Sequence, residues 1–200
     1  MADSDSTPEL DDDAMRRFPV PDFADLPEDL QNRISEETET AGFTPNVFSA
    51  FAYKPSHFRA FFKYHDALVD DSALDREEVE MIVVATAGVN HCYYCNVAHG
   101  ALVRIYAKDP KLADQLATNW RSAELSSRHE AMCAFAEKLT AEPSKVDGAD
   151  LEAMREQFTD EEIWDIASVV SYYNLSNRMA TLFDMRPNDE FYTLGREPRE

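Results

Sequence analysis

From Leu26 to Phe183 apolar residues recur at helical spacing, and each run is closed by a proline, a glycine or a polar cap. Such a chain buries helix stripes, because strand formation needs an alternation of period two that never persists here. Pro27 begins a helix that runs toward Thr40 and stops near Gly42. Thr44-Pro45-Asn46 restarts the chain with Val47, Phe48, Phe51 and Ala52 as its apolar face. Lys54-Pro55 breaks it, and Ser56 caps a helix carrying Phe58, Phe61, Phe62, Tyr64 and Leu68. Asp75 caps the next, with Glu78 three residues on as a capping box, and that helix ends at Gly88-Val89-Asn90. Further helices are predicted from just after Asn90 to about Tyr106 and from Pro110 to Thr118. Others run from Ser126 or Ser127 to Pro143, from Asp150 to Gln157, and from Asp160 to about Phe183. The fold class predicted is all-α, a helical domain over residues 23–200 preceded by a flexible acidic arm over residues 1–22 that docks only late in its length.

With 200 residues the chain is long enough for one compact core without disulfide staples. It carries 39 acidic against 19 basic residues, a net charge of −20, spread along its whole length. Phosphate backbones and anionic lipid surfaces would repel it, so neither nucleic acid nor a membrane is expected as a partner. Such a surface reads either as an ordinary solvated acidic exterior or, the reading favoured here, as adaptation to a high-salt, halophilic cytoplasm, where screening weakens self-repulsion. No stretch combines basic residues with an apolar core as a signal peptide does, and no apolar run approaches a membrane span, so a cytoplasmic location is expected.

A weak repeat accompanies the helices. Glu77-Glu78-Val79 and Ile82 match Glu161-Glu162-Ile163 and Ile166, and Asn90 falls on Asn174, always 84 residues apart. The choice is between two capped helices alike by chance and a duplicated helical unit with one chemically active half.

Chemistry concentrates in one segment. Cys92 and Cys95 lie three apart and His99 four further on, so all three share a helix face. Cys92 falls within the first turn, where unpaired N–H groups and the positive helix end favour a thiolate. An imidazole nearby can take the proton. Two other readings of the same residues stay open: three of four zinc ligands, with Cys133 as a distant fourth, and a pair of buried structural thiols. A thioredoxin-type dithiol would follow a strand, and none is visible.

The segment from Glu80 to His99 resembles the AhpD-like, carboxymuconolactone decarboxylase superfamily, whose motif is Glu, eleven residues, Cys-x-x-Cys, three residues, His; all four positions are present. Gly42-Phe43-Thr44-Pro45-Asn46 and Asn174-Leu175-Ser176-Asn177-Arg178 resemble further segments of its peroxidase-related branch. The resemblance spans about residues 25–196 and implies an AhpD-like helical fold and a thiol peroxidase with a hydroperoxide substrate. It implies Cys95 as the attacking thiolate, Cys92 as the resolving thiol, and His99 with Glu80 as proton carriers. No cofactor and no metal is implied; an external thiol or dithiol reductant is, and so is a homo-oligomer, a trimer or hexamer. The tail from Met185 to Glu200 is a candidate to pack on a neighbouring copy.

One departure stands out. Tyr94 occupies the place where well-known members of the family have a second histidine, and His91 is the candidate to replace it. His57, His65 and His129 read as surface or rim residues. The aromatic set of Phe58, Phe61, Phe62, Tyr64 and Tyr172-Tyr173 reads as core, suited also to line an apolar entrance for an organic peroxide. Asn177-Arg178 fits either a buried polar clamp or a subunit contact. Two competing functions remain: a dithiol redox sensor or interaction protein with little turnover, and a ring-opening or lactone decarboxylase, against which the cysteine pair counts.

Overall fold

Helix starts follow the local chemistry of their first turns, and the helices then stack around the most apolar of them. In the computed structural model, which describes Pro8 and residues 10–196, ten α-helices are present among the described residues. They are α1 Glu28–Ala41, α2 Asn46–Phe51, α3 Pro55–Asp70, α4 Arg76–Val89, α5 Tyr93–Ala107, α6 Leu112–Asn119, α7 Ser127–Ala141, α8 Gly148–Met154, α9 Asp160–Phe183 and α10 Glu190–Thr193. No strand occurs among the described residues; one isolated bridge joins Met15 to Met185.

The caps explain the boundaries and correct two of them. Gly42 stops α1 in the left-handed region at φ 81°, where a side chain is disfavoured. α3 starts at Pro55 rather than after Ser56, because proline is pre-set for a first helical position. Asp75 accepts from the Glu78 N–H, but no reciprocal box forms, because the Glu78 carboxylate is taken by Arg128 at 2.6 Å. Full boxes form instead at Asp147–Asp150 and Thr159–Glu162, and the first of these starts α8 earlier than predicted.

Helix α4 is the centre. Every residue from Glu78 to Ala87 is buried, and α5, α6, α7 and α9 pack around it. Its faces and those of α7 and α9 form the largest core cluster, which includes Met81, Ile82, Val83, Met132, Ile166 and Val170. A second cluster gathers about the N-terminal half of α5, and a third joins α1, α2 and α3 through Ile34, Phe48 and Phe58. Phe48 stacks flat on Phe62 at 4.2 Å.

The repeat has a structural counterpart of limited extent. Helices α4 and α9 lie side by side in the same direction. Arg128 binds Glu78 at 2.6 Å and Glu162 at 2.7 Å near their N-termini, and Asn90, at the far end of α4, donates to Asn174 at 3.0 Å. Beyond that point the likeness ends. The chain turns at Asn90, whereas α9 runs unbroken past Asn174 to Phe183, with Tyr172 in the place of Gly88.

Of the N-terminal stretch, residues 1–7 and 9 lie outside the described residues. Docking, expected only late in it, is already present at Leu10: Leu10, Ala14 and Met15 are buried, and the Ala14 carbonyl accepts from the Arg186 N–H at 2.9 Å. The C-terminal tail packs on its own chain. Buried Arg104 of α5 donates to the Phe191 and Leu194 carbonyls at 2.7 and 2.9 Å; residues 197–200 lie outside the described residues.

Arg128 shields one buried and one half-buried carboxylate at once. Replacing it in Arg128→Met strands Glu78, which is 5% exposed, and should cost about 2–4 kcal/mol in urea unfolding. Adding Glu78→Gln to that variant should recover part of the loss, because the uncompensated charge is then gone.

Candidate functional site

The turn between α4 and α5 sets the site. α4 ends at Val89, His91 takes the left-handed region at φ 53°, and the Cys92 N–H donates back to the Ala87 carbonyl at 3.0 Å. This tight reversal makes Cys92 the N-cap of α5 rather than a residue of its first turn. The two helices return antiparallel, so residues equally far from the turn face one another. The turn is tied to α9 by an asparagine cluster: Asn90 donates to Asn174 at 3.0 Å and to Asn177 at 2.9 Å. Asn177 is therefore a buried clamp, while Arg178, on the exposed side, donates to the Asn174 carbonyl at 2.6 Å.

Cys92 and Cys95 are joined as a disulfide, with Cα atoms 5.4 Å apart. The Cys92 sulfur also accepts from the Cys95 N–H at 3.3 Å. That N–H is one of the unpaired donors of the helix start, so in the reduced protein it lies beside a developing thiolate. Both cysteines are almost wholly enclosed, at 0% and 1% exposure.

His99 and Glu80 meet across the helix pair. His99 Nδ1 lies 2.7 Å from a carboxylate oxygen of Glu80, which is only 3% exposed. An imidazole that donates Nδ1–H to a carboxylate keeps Nε2 unprotonated, as a base needs. Arg76, one turn before Glu80, puts its guanidinium 3.6 Å from the other carboxylate oxygen. The Tyr173 ring meets the His99 ring edge-on at 4.8 Å. The structure thus gathers all four residues of the motif about one hairpin. It adds Arg76, which was not expected there, and Tyr173, which was expected only as core or entrance lining. Arg76 carried a signal, the i,i+4 spacing to Glu80; nothing in the sequence distinguished Tyr173 from its aromatic neighbours.

The place of the missing histidine is filled structurally. Tyr94 is 5% exposed, and its phenol oxygen accepts the Val47 N–H at 3.2 Å, which ties α2 to α5. Burial pushes the Tyr94 phenol well above its ordinary pKa, so it stays neutral in the physiological range. His91 does not replace the histidine: it sits exposed on the turn. His65, read as a rim residue, is half-buried with its ring 6.2 Å from Tyr172, and burial lowers its imidazole pKa. Cys133 lies in the other core cluster, its thiol pushed up by burial to about 12, so it is an inert structural thiol that does not complete a zinc set with Cys92 and Cys95. Among the described residues no group of three or more His, Cys, Asp or Glu is placed to hold a metal ion.

Known proteins share the fold. Residues 55–138 match the carboxymuconolactone decarboxylase family. The alkylhydroperoxidase AhpD core of Ralstonia eutropha JMP134, an uncharacterized peroxidase-related protein, is 52% identical, with a TM-score of 0.89 over 92% of this chain and 97% of that one. The chain belongs to the AhpD-like, carboxymuconolactone decarboxylase superfamily. An uncharacterized peroxidase-related protein of Silicibacter sp. TM1040 is 36% identical, with a TM-score of 0.87 over 96% of this chain and all of that one. The debrominase Bmp8 shares the fold at 16% identity and a TM-score of 0.71, over 86% and 92% of the two chains. No curated protein matches the sequence. No helix among the described residues is long and apolar enough to cross a membrane.

Three buried tyrosines near the site, Tyr94, Tyr172 and Tyr173, have phenols raised by burial. A group with a folded pKa above its unfolded value stabilises the fold below the unfolded value and loses that contribution as pH rises. The protein should therefore lose stability above about pH 10. Ultraviolet titration should show these three ionising only together with unfolding.

Proposed function

We propose that this protein is a thiol-dependent peroxidase that reduces hydroperoxides through the Cys92–Cys95 dithiol. The observation that carries the reading is the contact of buried Glu80 with half-buried His99, 2.7 Å apart, His99 being on the helix face that also bears Cys95. A buried carboxylate holding an imidazole in one tautomer beside a dithiol at a helix start is an arrangement for generating a thiolate.

In the reduced protein, His99 accepts the Cys95 proton, and Glu80 stabilises the imidazolium that results. The thiolate attacks the distal oxygen of ROOH. The O–O bond breaks, an S–O bond forms, and the alkoxide leaves as ROH with the proton returned by His99. The Cys95 sulfenic acid then meets the Cys92 thiol, three residues away; the disulfide forms and water leaves. An external dithiol reduces the disulfide and is itself oxidised. Assembly as a trimer or hexamer belongs to the same reading.

Stopped-flow mixing of the reduced protein with cumene hydroperoxide tests it. Wild type should lose both thiols far faster than free cysteine does. Cys95→Ser should abolish the first step, and Cys92→Ser should leave a sulfenic acid on Cys95 that dimedone traps. Thiol loss no faster than free cysteine would leave the second reading, a dithiol redox switch with little turnover, which the enclosure of both sulfurs favours. Reversed behaviour of the two variants would exchange the roles of the cysteines.

A further inference from the structure

A cavity of about 580 Å³ opens between α2, α3, the N-terminal stretch and the end of α9. Its volume is that of a site for a mid-sized organic molecule. The walls are aromatic and thioether side chains, among them Phe18, Phe51, Phe61 and Met179. The charge pattern is unusual for this chain. Asp and Glu make up 39 of its 200 residues, yet none of the described residues lining the cavity is acidic. Lys54 is the one lysine or arginine among the described lining residues, with His57 one helical turn further along the chain. On a protein of net charge −20, an apolar cavity with one cation and no anion is a place where a small monoanion escapes the general repulsion.

The cavity is also joined to the redox centre. Met15, Ala50 and Met185 belong both to its wall and to the cluster packed about Cys92 and Cys95. On another side the wall is Tyr172, whose ring lies 5.2 Å from Tyr173, the residue that meets His99 edge-on. The cavity therefore adjoins the layers that enclose the dithiol and its base.

We infer that this cavity is the substrate site, and that it takes amphipathic organic hydroperoxides with a long apolar body and a terminal carboxylate, of the fatty-acid class. The carboxylate pairs with Lys54, and the body lies along the aromatic wall. This deepens the peroxidase reading and rests on it; the reaction is the one already written, with R a carboxylated hydrocarbon.

A ligand without the peroxide group separates the two claims. Isothermal titration of the full-length oxidised protein with octanoate, decanoate and dodecanoate, below their micellar ranges, should give one saturable site per chain. Affinity should rise about twofold to fourfold per added methylene, as burial of hydrocarbon requires. Lys54→Glu should weaken dodecanoate about tenfold or more. Lys63→Glu, on an exposed lysine of the same helix outside the lining, should bind as wild type does. Ala60→Trp, at the exposed edge of the wall, should block the site. Absence of binding, equal loss in the two lysine variants, or affinity independent of chain length would overturn the assignment. So would self-association that seats a second copy in the cavity and that dodecanoate does not compete with. Dodecanoate binding in a protein whose thiols ignore cumene hydroperoxide would leave the carboxylate site in place and sink the peroxidase reading alone.

Discussion

A carboxylate enclosed in a helical core must be met by a partner of matching chemistry, and Glu80 is met by His99 at 2.7 Å. Much of the local structure depends on that requirement. Helix α4, buried on all sides from Glu78 to Ala87, cannot release Glu80 to water, so α5 has to return beside it at a fixed register. The left-handed turn at His91 and the Asn90–Asn174–Asn177 cluster hold that register. The same turn makes Cys92 the cap of α5. One reversal of the chain thus places the dithiol at a helix start and His99 one turn along.

Much of this was legible in the sequence. Helix positions were set by breakers and caps whose effects are local, such as Gly42 and Pro55, and by hydrophobic runs such as Val79 to Ala87. The Glu80, Cys92, Cys95 and His99 set was legible because three of its members share one helix and the fourth lies in a family motif. The features that stayed hidden depend on contacts between distant parts of the chain. The expected Asp75–Glu78 capping box gave way to an ion pair with Arg128, fifty residues away. The docking of residues 10–18 depends on Met185 and Arg186. The role of Tyr94 as an anchor for the Val47 N–H needs α2 in place. The internal repeat was a true likeness of α4 and α9 but only up to Asn174, because past that position one helix breaks and the other continues.

The acidic surface and the site obey different rules. The exposed carboxylates face solvent, where pairing contributes little. The buried ones, Glu78 and Glu80, each hold a specific cationic or proton-bearing partner. The apolar cavity is bounded by α2, α3, the N-terminal stretch and the end of α9, and none of the described residues lining it is acidic. On the proposed reading, selection of substrate would lie in the cavity wall and proton handling in the α4–α5 pair.

The central claim is that Glu80 and His99 act as one unit on the Cys95 thiol. A double-variant cycle on the rate of thiol oxidation by cumene hydroperoxide tests it most directly, with Glu80→Gln, His99→Asn and both together. Each single change should slow the reaction about 10²-fold, and the double variant should be slowed by about the same factor. Slowing of the double variant by about the product of the two single effects would contradict the account.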